Sequence, residues 1–504
     1  MSNVVEKISL NFTDLLGTKT GCTKKGSNKF WTGWVEDNGN GTANFEVRWG
    51  ATGTAGSDKG SKRDISLSAA LKALESKAKS KLKKGYTKVE TRTVGEEISK
   101  APKQAAPVAP TTRTFDPQVE RLLSVIYNET SNAVRSGLAA TAGATADNPI
   151  GNLSDRQLDK GGEVLDEIAS LLESEFGVQD RNNTSNHLPL AQGIPSREII
   201  DLTNRFMSNV PRAIPNHHRG RRNLHRVVVD SYERLEVQRK FLQLLRDAHV
   251  ARETFSAAAQ LTNGARTAVW YDGLNCDIEA LGKGTVEFRH VQDIFESNQS
   301  RKNSNWWNGS TSKVRLARVF KFTRKGTDTA YEKYKGDVTR KMGSVGEIKA
   351  WHGTRTENLL GIGQGGLVMP ENLPRGVHVS GKAFGRGIYH APAWNATNTD
   401  QIQGATTDGT NGALKSLNYT SMKGAYYGSG NSSQSAFMFL QDVALGLGEV
   451  RTSTCWDKSR PDSFPKHDFI YANAGGCSSL THDEIVTFDE NAQVFRYLCE
   501  FEAR

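Results

Sequence analysis

The sequence predicts a multidomain protein. It has a small α+β module at 4–97, a linker at 98–114, an all-helical module at 115–262, and an α+β module on a mostly antiparallel sheet at 263–504. Three observations predict it. Around a Gly/Asn turn at 30–49, apolar and polar residues alternate, and one amphipathic helix follows. Across 115–262 the apolar residues recur at helical spacing instead. From 263 onward short apolar runs are separated by long connections, the pattern of an α+β fold. A length of 504 residues suits roughly three such cores.

In the first module, Phe30-Trp31-Thr32-Gly33-Trp34-Val35 and Phe45-Glu46-Val47-Arg48-Trp49 flank Asp37-Asn38-Gly39-Asn40-Gly41, a hairpin signal. A helix starts near Ser66 or Ser68, with Leu67, Leu71, Leu74, Ala78 and Leu82 on one face. Its other face carries Lys72, Lys77, Lys79, Lys81, Lys83 and Lys84. Such a face reads as a solvated helix surface or as a phosphate-binding one, here beside a Trp able to stack on a nucleic-acid end. The net charge of +10 favours a polyanionic partner. The Ala/Pro/Thr linker predicts a semi-extended tether that lets this module dock independently.

The five cysteines are scattered without a C-x-x-C pair, which argues against structural zinc or a disulfide framework and for a reducing compartment. No apolar run has signal-peptide or membrane-spanning length. The expectation is a soluble intracellular protein with no metal and no membrane partner.

In the second module, helical spacing joins Val119, Leu122, Leu123, Ile126 and Tyr127, and then Leu165, Ile168, Leu171 and Leu172. It recurs in Ile199, Ile200, Leu202, Phe206 and Met207, and in Leu235, Phe241, Leu242, Leu244 and Leu245. Ser154-Asp155-Arg156-Gln157 predicts a capping box, the serine bonding an N3 amide and Gln157 answering. No catalytic set is visible in these helices. A polar insert (173–192) and a basic loop (His217-His218-Arg219-Gly220-Arg221-Arg222) interrupt them. Adjacent histidines rarely chelate one ion, so the loop reads as solvated, with a nucleic-acid contact as the alternative.

The third module predicts strands at 268–271, 314–322, 348–352, 387–390, 436–445, 484–488 and 493–501, and a surface loop at 403–412. The chemistry-bearing runs fall here. His352-Gly353-Thr354-Arg355-Thr356 sits at a strand end, where an imidazole meets a glycine that leaves backbone groups approachable. Phe384-Gly385-Arg386-Gly387-Ile388-Tyr389, Lys415-Ser416-Leu417-Asn418-Tyr419, Val443-Ala444-Leu445-Gly446 and Glu484-Ile485-Val486 follow in order. Taken singly, Tyr389 is as readily a core tyrosine, Tyr419 a strand-edge aromatic and Glu484 an exposed strand carboxylate.

Together these runs resemble the His–Tyr–Glu transferase domain of the poly(ADP-ribose) polymerase family. Arg48-Trp49-Gly50, closed by Lys84-Gly85-Tyr86, is similar to that family's WGR domain. Pro149-Ile150-Gly151-Asn152-Leu153-Ser154-Asp155-Arg156-Gln157-Leu158 and Asp201-Leu202-Thr203-Asn204-Arg205-Phe206 resemble markers of its helical regulatory domain. The resemblance spans nearly the whole chain and includes no zinc fingers. Its departures are Ala51 for an arginine that helps pass the DNA signal onward, Thr354 for the usual serine, and a long insertion between Ala391 and Leu414. A fourth is a shifted register around Glu484.

The resemblance implies NAD⁺ as substrate, without metal. His352, Tyr389 and Glu484 are the expected catalytic set; His352, Gly353, Thr354, Asn358, Tyr389, Ser416 and Tyr419 are expected to hold NAD⁺. Nicotinamide is a flat carboxamide-bearing ring, so two tyrosine faces and a backbone donor–acceptor pair suit it. DNA ends or nicks are the expected activating partner, through Arg48, Trp49, Lys72, Lys79 and Lys83. Acceptor proteins, including the protein itself, would receive poly(ADP-ribose), and the helical module would cover the NAD⁺ site until DNA binds. The alternatives are mono-ADP-ribosyl transfer and a DNA-end scaffold with a silent transferase domain. The implied location is nuclear in a eukaryote and cytoplasm or nucleoid in a prokaryote or virus; oligomeric state stays open. Asp483 and Glu484 both align on the family glutamate; an inward row of Val486 and Phe488 favours Glu484.

Overall fold

The computed structural model describes residues 3–17, 26–52, 54–90, 113–140, 153–176, 188, 195–212, 227–258, 263–297, 314–370, 383–393, 412–417, 419–422, 435–451, 467–473, 480 and 483–503. The 98–112 part of the linker, the basic loop with His217 and His218, the 403–411 loop and most of the 173–192 insert lie outside them. So do the side chains of Lys415 and Asn418.

The chain forms two compact units. The first holds β1 (Asn3–Asp14), β2 (Ser27–Asp37), β3 (Thr42–Ala51), β4 (Lys62–Ser66) and β5 (Thr87–Val89), ordered β4-β3-β2-β1-β5 in one sheet. Helix α1 (Leu67–Lys83) covers it, capped by the Ser66 side chain accepting from the Ala69 N–H. Ala70, Leu74 and Ala78 supply its buried stripe. Leu82, expected on that stripe, lies in the last turn of the helix and is exposed. Strand β1 was not anticipated, although Ile8, Leu10 and Phe12 alternate.

The same unit holds α3 (Asp155–Phe176), α4 (Arg197–Asn209) and most of α5 (Tyr232–Ala258). Their core includes Leu15 and Val89 from the first module. Side chains of β1 and β2 hook backbone carbonyls at the end of α4: Asn11 Nδ2 donates to Met207 O at 3.0 Å and Asn28 Nδ2 to Arg212 O at 2.6 Å. The expectation of an independently docking first module is therefore corrected. Shared apolar burial and buried amides join it to the helices. The capping box is half formed: Gln157 N–H donates to Ser154 Oγ at 3.1 Å, but the Gln157 amide turns to the Asn209 carbonyl and the Glu90 N–H.

The second unit takes in α2 (Pro117–Ala140) as far as Ser131, then α6 (Asn263–Gly273) and the described residues that follow it. Residues 268–271, expected as a strand, lie inside α6. Val-Trp-Tyr has high β propensity, but burial at Thr267, Trp270, Tyr271 and Leu274 follows the helical period, and packing decides. Trp270 stacks on Tyr127 of α2 with ring centroids 5.0 Å apart, and the Tyr127 hydroxyl donates to Trp270 O. Arg121 grips the fully buried Glu500 through two 2.8 Å bonds.

The nine-stranded sheet comprises β6 (Cys276–Leu281), β7 (Val314–Arg324), β8 (Gly346–Thr354), β9 (Ile388–Pro392), β10 (Ser435–Leu445), β11 (Gly448–Arg451), β12 (Phe469–Ala472), β13 (Glu484–Thr487) and β14 (Gln493–Ala503). Its order is β11-β12-β13-β9-β8-β10-β14-β7-β6, antiparallel except for β11 beside β12. Multidomain α+β architecture is what this shows.

Candidate active site

Strand β8 is paired with β10 along its whole length. On its other edge the ladder with β9 consists of Ala350↔Pro392 and Trp351↔Ala391. The two strands part at His352, and β9 continues beside β13 with Tyr389↔Val486 and His390↔Ile485. At that parting His352 Nδ1 lies 3.1 Å from Tyr389 O. A carbonyl only accepts, so Nδ1 carries the proton and Nε2 keeps a lone pair. Burial lowers the His352 pKa, opposed by this bond, so the ring is neutral at pH 7.

The next residue has to be glycine. A Cβ on Gly353 would stand 1.8 Å from Ser416 O, at the end of α7 (Gly412–Leu417). The structure thus brings Gly353 and Ser416 together, and the Tyr419 N–H bonds Ser416 O at 3.0 Å. Thr354 is buried and accepts from Asn358 Nδ2 at 3.2 Å. The Tyr389 hydroxyl accepts from the Phe384 N–H and donates to Gly385 O, both at 2.9 Å, which locks the ring to its own loop.

Directly opposed residues of a ladder share a face, and residues two apart on a strand share it too. Tyr389 and Val486 are opposed, so Glu484 lies on the Tyr389 face. Val486, Phe488, Ile470 and Ala472 form one cluster, against which Tyr389 packs. The same alternation puts Gly353 on this face and His352 on the reverse, entering at the edge where β8 and β9 part. Asp483 points away from Glu484 and accepts from the buried Tyr471 hydroxyl at 2.9 Å. Both carboxyl side chains are buried, Glu484 at 6% exposure and Asp483 at 2%.

The predicted nucleic-acid residues sit elsewhere, in the first unit. Trp49 is 40% exposed, its Nε1 donating to Lys59 O. Lys72, Lys79 and Lys83 are exposed on α1, and Arg48 is half-buried on β3. The cation beside Trp49 is Lys81, 5.8 Å from its ring centroid and 5.1 Å from that of Tyr86. Partial burial and then the charges of Lys84, Lys29 and Lys77 lower its pKa, so four lysines converge here. Sequence reading put Lys81 on the basic face but not among the DNA contacts. The missed signal was spacing, because Lys81 follows Ala78 by three and Leu74 by seven, at the edge of the buried stripe.

Three family models match the chain: the WGR domain over 10–93, the poly(ADP-ribose) polymerase regulatory domain over 114–268, and the poly(ADP-ribose) polymerase catalytic domain over 285–397. They define a class, a multidomain protein combining WGR, regulatory and catalytic domains. The chain belongs to the poly(ADP-ribose) polymerase family.

It is similar to poly [ADP-ribose] polymerase 1 of Oryza sativa subsp. japonica, 26% identical over 281 residues, 55% of this chain and 24% of the relative. Poly [ADP-ribose] polymerase 1 of Arabidopsis thaliana is 24% identical over 57% of this chain and 25% of its own length. Poly [ADP-ribose] polymerase 2 of Arabidopsis thaliana is 23% identical over 72% of this chain and 54% of its own length. The chain thus spans about a quarter to a half of these curated relatives. The catalytic match ends before Ser416, Tyr419 and Glu484.

Proposed function

We propose that the protein is a DNA-break-stimulated ADP-ribosyltransferase that takes NAD⁺ and builds poly(ADP-ribose) on proteins and on itself. The observation that carries the reading is the common face of Tyr389, Gly353 and Glu484 beside the β8–β9 parting, where His352 keeps an Nε2 lone pair. Nicotinamide would stack between Tyr389 and Tyr419, each face worth on the order of 1 kcal/mol beyond area burial. Its carboxamide would pair with the Gly353 backbone, with Ser416 adding a bond. His352 Nε2 would accept from the hydroxyl of the adenine-side ribose, next to the Asn358–Thr354 pair.

Breaking the C1′–N bond releases nicotinamide and leaves oxocarbenium character on the sugar, as in glycoside hydrolysis. The Glu484 carboxylate, bonded to the 2′-hydroxyl, stabilises that charge and activates the incoming acceptor hydroxyl, whose oxygen forms the new bond to C1′. Trp49 with Lys81 and its neighbouring lysines would grip the break, the affinity falling steeply with salt as counterions are released. Stimulation should be weaker than in relatives with arginine at Ala51.

Incubation with labelled NAD⁺, with and without nicked duplex at low salt, tests the reading. A ladder that grows with nicked DNA supports it. One modified band means mono-transfer, no label means a scaffold, and equal labelling without DNA removes the stimulation. Intracellular location is part of the same proposal.

A further inference from the structure

Beneath Tyr389 and Val486, on the reverse face of the sheet, runs a buried polar chain that the transferase chemistry does not use. It starts at Gln441 on β10, whose Nε2 meets His390 Nδ1. His390 Nε2 lies 2.9 Å from Thr487 Oγ1 on β13. Thr487 Oγ1 donates to Gln493 Oε1 at 3.0 Å, and Gln493 Nε2 donates to Glu490 O at 2.7 Å. His390 is 2% exposed, and Gln441 and Thr487 are fully buried.

The direction of every bond follows from its far end. The Glu490 carbonyl only accepts, so Gln493 turns its amide nitrogen to it and its oxygen to Thr487. Thr487 spends its one proton on that oxygen and must accept from His390. The imidazole therefore carries hydrogen on Nε2 and a lone pair on Nδ1, which receives the Gln441 N–H. In this arrangement Gln441 Oε1 stays buried without a hydrogen-bond partner among the described residues. Burial first, and then repulsion from His352 when that ring is protonated, pushes the His390 pKa down to about 3, which keeps the ring neutral as this arrangement requires.

Its placement matters because of the residues next to it. His390 adjoins Tyr389 in β9, and Thr487 adjoins Val486 in β13, the residue opposed to Tyr389. The Gln441 amide comes from β10, which is also the partner of β8 at His352 and Gly353. One imidazole thus ties together β9 and β13, which carry Tyr389 and Glu484, and β10, the partner of β8. Resting on the function proposed above, we infer that His390 is a positioning residue. Through Thr487 and Gln441 it fixes the spacing between Tyr389 and Glu484, without touching NAD⁺ itself.

The full-length protein carrying His390→Leu, Thr487→Val or His390→Gln tests this, using NAD⁺ turnover with nicked duplex, NAD⁺ titration for KM, and thermal unfolding. Valine replaces threonine with nearly the same shape and removes only the link. Glutamine keeps an Nε2–H within reach of Thr487. A displacement of reacting groups by about 1 Å costs on the order of a hundredfold, so a partial shift predicts kcat lower by roughly ten- to a hundredfold in Thr487→Val and His390→Leu. KM should change less than kcat, and His390→Gln should recover most of the loss. A Thr487→Val protein that unfolds normally and keeps wild-type kcat overturns the inference. So does equal loss in the leucine and glutamine variants, the mark of a merely structural histidine. A folded wild type that turns over no NAD⁺ overturns the functional reading, and this inference with it.

Discussion

Two adjacent carboxylates, Asp483 and Glu484, compete for one catalytic role, and substituting each in turn separates them. Glu484 shares the Tyr389 face, whereas Asp483 points to the other side and holds the Tyr471 hydroxyl. Glu484→Gln keeps the shape and the 2′-hydroxyl bond but removes the charge opposite the developing oxocarbenium. Losing one preorganised electrostatic partner of a transition state costs about 3–4 kcal/mol, a factor of roughly 10²–10³ in kcat. Asp483→Asn keeps an acceptor for Tyr471 and exchanges a charge-assisted hydrogen bond for a neutral one, worth about 1 kcal/mol of stability. In a unit of this size that lowers Tm by about 2–4 °C and leaves turnover largely intact. The assay is an automodification gel read beside NAD⁺ binding by calorimetry. Glu484→Gln should bind NAD⁺ and fail to elongate; Asp483→Asn should elongate. If Asp483→Asn is the silent variant, the face assignment of β13 is refuted.

Arg121→Met leaves the buried Glu500 paired with Arg318 at 3.1 Å; with Arg121 itself 41% exposed, the cost should be about 1–2 kcal/mol, and an unchanged Tm refutes it. Excising 132–262 together with the first module, whose core those helices share, should raise DNA-free labelling by the closed-to-open ratio, whereas an excision that also takes 109–131 strips Arg121 and Tyr127 from the sheet unit and should lower its Tm; a folded excision protein without DNA-free activity contradicts the expected inhibition by the helices. Trp49→Ala should weaken binding to a nicked duplex by about 1–3 kcal/mol and Lys81→Gln should reduce the salt slope by about one, both read by fluorescence anisotropy. His352 and His390 have folded pKa values below their ordinary 6.5, so the folded state binds fewer protons than the unfolded one, and their contribution is present above 6.5 and lost as pH falls below it, for His390 down to about 3. Tm should therefore fall between pH 6.5 and 5, and less steeply in His390→Gln; parallel profiles would sink this.

The sequence disclosed what repeats and what is local. The apolar period of α3 and α4, the hairpin of β2 and β3, and the strands β7, β8, β10 and β14 were all readable from spacing. The run Val269-Trp270-Tyr271 was misread because three residues cannot distinguish a β run from one helical turn. Strands β11 and β12 stayed hidden because they are short and buried or edge-lying pieces without alternation of their own. At the site, motif order pointed to His352, Gly353 and Tyr389. The reason Gly353 must be glycine, the approach of Ser416 O, is a contact across the fold that no local pattern encodes. The polar chain of Gln441, His390, Thr487 and Gln493 was equally invisible, since its members lie far apart in sequence.

The amide hooks from β1 and β2 onto the end of α4 also bear on time. Asn11 finds its carbonyl 196 residues downstream and Asn28 finds one 184 downstream. At ribosomal speeds of about 5–20 residues per second, the first strands wait roughly ten to forty seconds for the helix that completes them. Throughout that wait Leu15 and Val89, which belong to the core shared with the helices, face water. The nascent first sheet is thus a sticky intermediate, and a fragment ended at 97 would keep that surface permanently. Such a fragment should aggregate with rising concentration, whereas one carried through 258 should stay monodisperse in light scattering.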